Sequence, residues 1–146
     1  PEDVTPGEGE ENKPVEIFSK VYIIKENYIY KINEKTTIKE FKSKIETNSE
    51  IVFLDNGKEI TDENSIIKTG MKIKLSDETV YDLIERGDLN CDGKITLTDV
   101  SKIILHYNEN NGFILTGAQE KASDMNLDYK TTLTDVSQML VLYNSL

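Results

Sequence analysis

The chain has 146 residues, 37% of them hydrophobic and 30% charged, which is enough for one ordinary domain or two small ones. A net charge of -10 argues against nucleic-acid binding, which needs a basic stripe, and no apolar run approaches the roughly 20 residues that span a bilayer. The single cysteine, Cys91, excludes an internal disulfide and a zinc site built on thiolates.

Residues 1–14, PEDVTPGEGEENKP, hold all three prolines and almost nothing apolar, so this stretch reads as an acidic linker that cannot offset its own ordering entropy. Such a linker, starting at Pro1 without a signal peptide, leads us to expect an excised piece with another module upstream. Residues 15–79 read as a small α+β module. VEIFSKVYII and YIYKI, separated by Lys25-Glu26-Asn27, predict a hairpin. Thr37 and Glu40 fit a capping box, and Ile38, Phe41 and Ile45 give the stripe of a short helix. IVFL at 51–54 and MKIKL at 71–75 predict two further strands, with the turn Asp55-Asn56-Gly57-Lys58 leading back from the first through Glu59-Ile60. The order strand-strand-helix-strand-strand points to a β-grasp-like unit, small enough to profit from docking on a neighbour.

Residues 80–146 have a different character. DLNCDGKITLTD at 88–99 is followed, at an offset of 36 residues, by DMNLDYKTTLTD at 124–135. Calcium takes six to eight oxygen ligands, which an EF-hand-type loop supplies from positions 1, 3, 5, 7, 9 and 12. In the first loop these are Asp88, Asn90, Asp92, the carbonyl of Lys94, Thr96 through a water, and Asp99; in the second they are Asp124, Asn126, Asp128, Lys130, Thr132 and Asp135. Gly93 occupies the sixth position, where a sharp turn favours positive φ, and Ile95 anchors the loop to the core. The second loop departs from this pattern with Tyr129 in the glycine position and Thr131 in place of the isoleucine, so its site is expected to be weaker or differently shaped. Residues 81–146 carry ten acids and five bases, and six of those acids are the loop aspartates, so two divalent cations nearly neutralise the segment.

Each loop runs into a helical pattern, VSKIILHY at 100–107 and VSQMLVLY at 136–143. A short helix is expected between them, from a possible capping box at Thr116 and Gln119 toward Ala122. Val100, Ile103 and Tyr107, and likewise Val136, Met139 and Tyr143, form stripes for burial. Ile104, Leu105, Leu140 and Val141, with Leu97 and Leu133, add more apolar surface than so small a unit can cover, which predicts an interface.

There are too few residues before the first loop for the entering helix of a true EF-hand, and position 12 is Asp rather than Glu in both loops. GDLNCDGKITLTDVSKIILHY and SDMNLDYKTTLTDVSQMLVLY in tandem instead resemble the dockerin family, calcium-loaded all-α modules that plug enzymes into the cohesins of scaffold proteins, as in cellulosomes. The stretch before them resembles the X-type modules that precede some dockerins. The resemblance implies two Ca2+ ions, a secreted or cell-surface setting linked to polysaccharide degradation, a cohesin partner and a monomer when unbound. It also implies a partner face at Leu97, Thr98, Ile104 and Leu105, and at Leu133, Thr134, Leu140 and Val141. Their apolar character is similar to the type II surface, and the LTDVS shared by both repeats allows binding in two orientations.

Other residues carry weaker signals. Arg86-Gly87-Asp88 spells an adhesion tripeptide, but Asp88 is expected to bind metal. His106 reads as a solvated residue and Cys91 as an exposed thiol. Tyr22, Tyr28 and Tyr30 could form a sugar platform, although ordinary strand packing is the simpler reading. No catalytic constellation is present, so an enzyme is not expected within this chain. The rivals are an EF-hand-like calcium sensor or buffer, and a wall or glycan binder in the first module with the second as its tether.

Overall fold

The computed structural model describes residues 14–108 and 114–146; apart from Pro14, the acidic linker lies outside the described residues. A six-stranded mixed sheet is the middle layer of the molecule. Its strands are β2 (Ile23–Lys25), β3 (Tyr28–Ile32), β5 (Val52–Asp55), β6 (Lys58–Ile60), β7 (Lys72–Lys74) and β8 (Val80–Glu85), in the order β2-β3-β8-β7-β5-β6. β3 and β8 run parallel and the other neighbours are antiparallel. A separate pair joins β1 (Ile17–Phe18) to β4 (Glu46–Thr47).

Local chemistry explains most of these elements. Glu26 at φ 55° turns the β2–β3 hairpin, and Asn56 and Gly57, at φ 52° and 82°, give β5–β6 the double positive φ of a type I′ turn. The predicted run VEIFSKVYII is broken in the structure. The Ser19 hydroxyl accepts from the N–H groups of Val21 and Tyr22 and donates to the Lys44 carbonyl, so a side-chain turn replaces the strand ladder there. Thr37 caps helix α1 (Ile38–Ser43) by accepting from the Glu40 N–H at 3.1 Å.

Each face of the sheet has its own core. On one side Ile29, Ile32, Ile73 and Leu83 pack with Ile38 and Phe41 of α1, and the Tyr22 ring stacks on Phe41 at 5.1 Å. On the other side Tyr30 and Ile84 join the residues of three helices: α2 (Leu97–Asn108), α3 (Gly117–Ala122) and α4 (Leu133–Asn144). Val100, Ile103, Val136 and Met139 are buried in this second core and Tyr143 packs at its edge, whereas Tyr107 is exposed. Thr116 precedes α3 without a side-chain cap bond, so the expected capping box is not formed.

The boundary read at residue 79 falls inside a hairpin. β8, assigned from the sequence to the second module, pairs with β7 and β3 near the centre of the first module's sheet. Leu83 faces one core and Ile84 the other, so β8 is buried on both faces. Residues from 86 onward contribute loops and the three helices among the described residues.

Candidate metal centre

Each loop gathers its three aspartates into a cage. The carboxylates of Asp88, Asp92 and Asp99 bring oxygens within 4.8 Å of one another, and Asp124, Asp128 and Asp135 do the same. Positions 1 and 12 are buried and position 5 is exposed in both loops, so each cage has a closed floor and an open mouth.

Backbone N–H groups hold the cages open against their own charge. In loop 1 the Asp88 carboxylate accepts from Asp92 at 3.1 Å and Gly93 at 3.0 Å. Asp99 accepts from Leu89, Asn90 and Thr96 at 2.8–3.0 Å, and Asp92 accepts from the Lys94 N–H at 2.9 Å. Loop 2 repeats the set, with Asp128 and Tyr129 on Asp124, Met125, Asn126 and Thr132 on Asp135, and Lys130 on Asp128, at 2.7–3.2 Å. Helices α2 and α4 begin three residues before the sequence-predicted starts, which places Asp99 and Asp135 in the first turn.

The left-handed turn is present in both loops. Gly93 sits at φ 83° and Tyr129 at φ 66°, and the fourth positions, Cys91 and Leu127, also have positive φ. Tyr129 is held there from the first module: its ring meets Tyr30 edge-on at 6.2 Å, and the Lys25 ammonium lies 3.6 Å from its centroid. Burial, followed by the charges of Tyr129 and other neighbours, pushes the Tyr30 phenol up to about 12. Thr131 bonds the Ser123 hydroxyl at 2.8 Å, a polar counterpart to the buried Ile95 of loop 1.

The donor set fits a hard cation. The three carboxylates of each cage offer only oxygen, and the Asn90 Oδ1 at position 3 is buried with no hydrogen-bond partner among the described residues. Burial lifts Asp88 to about 6, against three backbone donors, and also raises Asp99 and Asp124. A divalent ion supplies the countercharge that reverses this penalty.

Three residues of the first module reach loop 1, and sequence reading missed all three. The Thr69 N–H donates to Asp88 Oδ2 at 2.9 Å, and Glu34 accepts from the Ile95 N–H at 2.8 Å. Glu85, at the end of β8, is wholly buried and has its carboxyl raised to about 9, first by burial and then by Asp88. Only the position of Glu85, three residues before the first ligand, offered a signal.

The predicted partner positions lie along α2 and α4, which pack together. Leu97 and Leu133 are 61% and 60% exposed, Ile104 and Leu105 are 37%, and Leu140 and Val141 are 41% and 69%. Thr98 and Thr134 are exposed beside the leucines.

The weaker signals resolve into packing. Tyr22 and Tyr30 are buried and Tyr28 packs against the second core, so these tyrosines form no open platform. Met139 is wholly buried rather than lining a groove. Asp88 of the tripeptide is buried too. His106, expected to be solvated, accepts from the Leu115 N–H through Nδ1 at 2.9 Å. Cys91, expected to be exposed, is half-buried, and burial raises its thiol.

Each repeat thus joins an oxygen-lined loop to a helix with an exposed apolar flank. Residues 86–140 match the family model described as the dockerin type I domain. Dockerin domains bind calcium and dock onto cohesin modules, and they are not catalytic. No curated protein and no solved structure matches the chain. No helix among the described residues is long and apolar enough to cross a membrane.

Proposed function

We propose that the chain is a two-part docking unit that anchors its parent protein, noncovalently and outside the cell, to a cohesin module of a scaffold or surface protein. The observation that carries this reading is the pair of matching carboxylate cages, each leading into a helix that exposes a leucine at its first residue. Two Ca2+ ions bind through Asp88, Asn90, Asp92 and Asp99 and through Asp124, Asn126, Asp128 and Asp135. The carbonyls of Lys94 and Lys130, and waters held by Thr96 and Thr132, complete the two spheres. Metal binding then contributes directly to folding, because three clustered aspartates per loop, two of them buried, repel one another without it.

The partner lies across Leu97, Thr98, Ile104 and Leu105 and their repeat mates Leu133, Thr134, Leu140 and Val141. The apolar character of this face supports recognition of the type II kind, although the matched family model carries the type I description. Residues 15–85 act as an X-type, β-grasp-like module that backs the repeats with the second face of its sheet. The unbound unit is a monomer, and any enzyme lies elsewhere in the parent.

The test is a calorimetric calcium titration of chelator-stripped chain, followed in parallel by far-UV circular dichroism, and then binding to a panel of type I and type II cohesins. Two ions, a gain of helix and calcium-dependent cohesin binding are expected. No calcium uptake in the micromolar range, or no cohesin binding by the loaded chain, overturns the reading.

A further inference from the structure

A groove between the sheet and the second loop has no part in cation binding or in the leucine face. Its volume is about 390 Å³, within the roughly 300–1,000 Å³ of small-ligand sites. Val21, Lys31 and Asn33 line it from the first module, Arg86 from the junction, and Asn126 and Leu127 from loop 2. Two cations and no carboxylate line it among the described residues, in a chain whose net charge is -10.

Both cations are placed by the fold. Along β3 and β8, Ile29 pairs with Leu83 and Ile32 with Glu85, so Tyr30 and Lys31 together oppose the single residue Ile84. This bulge keeps Ile29, Tyr30 and Ile32 buried and turns Lys31 outward. Lys31 sits there at φ 74°, a left-handed conformation that favours glycine over lysine. Strain of this kind clusters at binding sites. Arg86, the only arginine of the chain, has its N–H bonded to the Ile32 carbonyl at 2.8 Å, at the end of the same bulge. Its Nε donates to the Met125 carbonyl at 3.1 Å, which fixes the guanidinium against loop 2. Among the described residues that is its one side-chain bond, and the Lys31 ammonium has neither an ion pair nor a hydrogen bond. The Asn33 carbonyl is held by Thr36, whereas the Asn33 amide has no partner among the described residues. Val21, 46% exposed, and half-buried Leu127 supply apolar walls.

We propose that this groove binds a small hydroxylated carboxylate with the chemistry of a single sugar acid. The Arg86 guanidinium offers a planar fork to the carboxylate and the Lys31 ammonium a second charge. The Asn33 amide both donates to and accepts from hydroxyls, and Val21 and Leu127 take the C–H face of the ring. The site is separate from the leucine face and adds a ligand that the docking reading does not call for.

The experiment titrates galacturonate into the full chain in calcium-containing buffer, followed by the backbone N–H signals in NMR, with galactose and succinate as comparison probes. Galacturonate is expected to give saturable shifts at Lys31, Asn33, Arg86 and Leu127. Galactose, which lacks the carboxylate, should bind at least tenfold more weakly, and succinate, which lacks the hydroxyls and the ring, at least threefold more weakly. Lys31→Gly relieves the backbone strain, so the variant should fold at least as stably as the native chain while losing at least tenfold in galacturonate affinity. No saturable shift at these four residues overturns the proposal, as does equal binding of either comparison probe or undiminished binding by a folded Lys31→Gly chain. A response confined to the loop aspartates means that the sugar acid meets the loop cations instead, and also overturns it. Should the same four signals move on Glu8→Gln, Glu10→Gln and Glu11→Gln together while galacturonate gives no saturation, the chain's own acids fill the groove and the proposal falls. If Lys31→Gly does not fold, the three probes on the native chain decide alone.

Discussion

Tyr129 provides a direct test of how the first module supports the repeats. It holds the sixth position of loop 2 at φ 66°, where loop 1 uses Gly93. A side chain in the left-handed region costs about 1–2 kcal/mol. The Tyr129 ring recovers this through its edge contact with Tyr30 and the Lys25 ammonium above its face. An aromatic pair contributes about 0.5–1.5 kcal/mol and an exposed cation–π contact about 0.5–1 kcal/mol, so the two together match the strain. Tyr129→Ala keeps the strain and loses both contacts, and should cost about 1–2.5 kcal/mol. Tyr129→Gly loses the same contacts but relieves the strain, less about 0.5–1 kcal/mol of added unfolded-state entropy. The expected order of stability is native, then glycine, then alanine, measured by urea unfolding at saturating calcium. An alanine variant as stable as the native chain would refute the bracing role of the ring. A glycine variant less stable than alanine would refute the strain argument.

Two further predictions follow from the paired face and from the buried carboxyls. Leu97→Asp and Leu133→Asp should each leave near-native cohesin affinity while the double change abolishes it, because the two leucines are equally exposed on repeat-related helices; a single variant that loses all binding in surface plasmon resonance removes the two-orientation hypothesis. The pH dependence follows from carboxyls whose folded-state pKa is raised, Asp88 to about 6 and Glu85 to about 9. Such groups favour the cation-free fold below their ordinary values near 4, and this advantage is lost as pH rises through the raised ones. In chelator the melting temperature should therefore fall between pH 5 and pH 8, with Asp88, which finishes titrating above 6, accounting for on the order of 1.4 kcal/mol of it, and the stabilisation by added calcium should grow over the same window. Cation-free stability that rises with pH contradicts the assignment.

The clustering of the aspartates could be read from the sequence because such a loop is local: all three lie within twelve residues and their spacing is fixed by one turn. The Asn56-Gly57 turn and the Thr37 cap are local in the same way. β8 was misassigned for a physical reason. A strand covered on both faces loses the alternation that marks a half-buried one, and its parallel partner β3 is far away in sequence. The support of loop 1 by Thr69, Glu34 and Glu85 was hidden by the same distance, since only the folded sheet brings those residues to Asp88. Tyr129 looked like a defect in loop 2 until the structure placed Tyr30 and Lys25 against it.

These contacts change what counts as the functional unit. The second core is not made by the repeats alone, because Tyr30 and Ile84 of the sheet lie within it beside Ile103 and Met139. A cut between residues 79 and 80 would take β8 from the centre of one sheet and leave a buried strand with no partners. A cut after residue 85 would spare the sheet but expose Tyr30 and Ile84, and would strip Asp88 of the Thr69 donor and Tyr129 of its brace. The cation cages and the exposed leucines are thus carried by repeats that take part of their core and part of their loop geometry from the preceding module. The sheet supports the carboxylate cages and the exposed leucines as much as the repeats' own residues do.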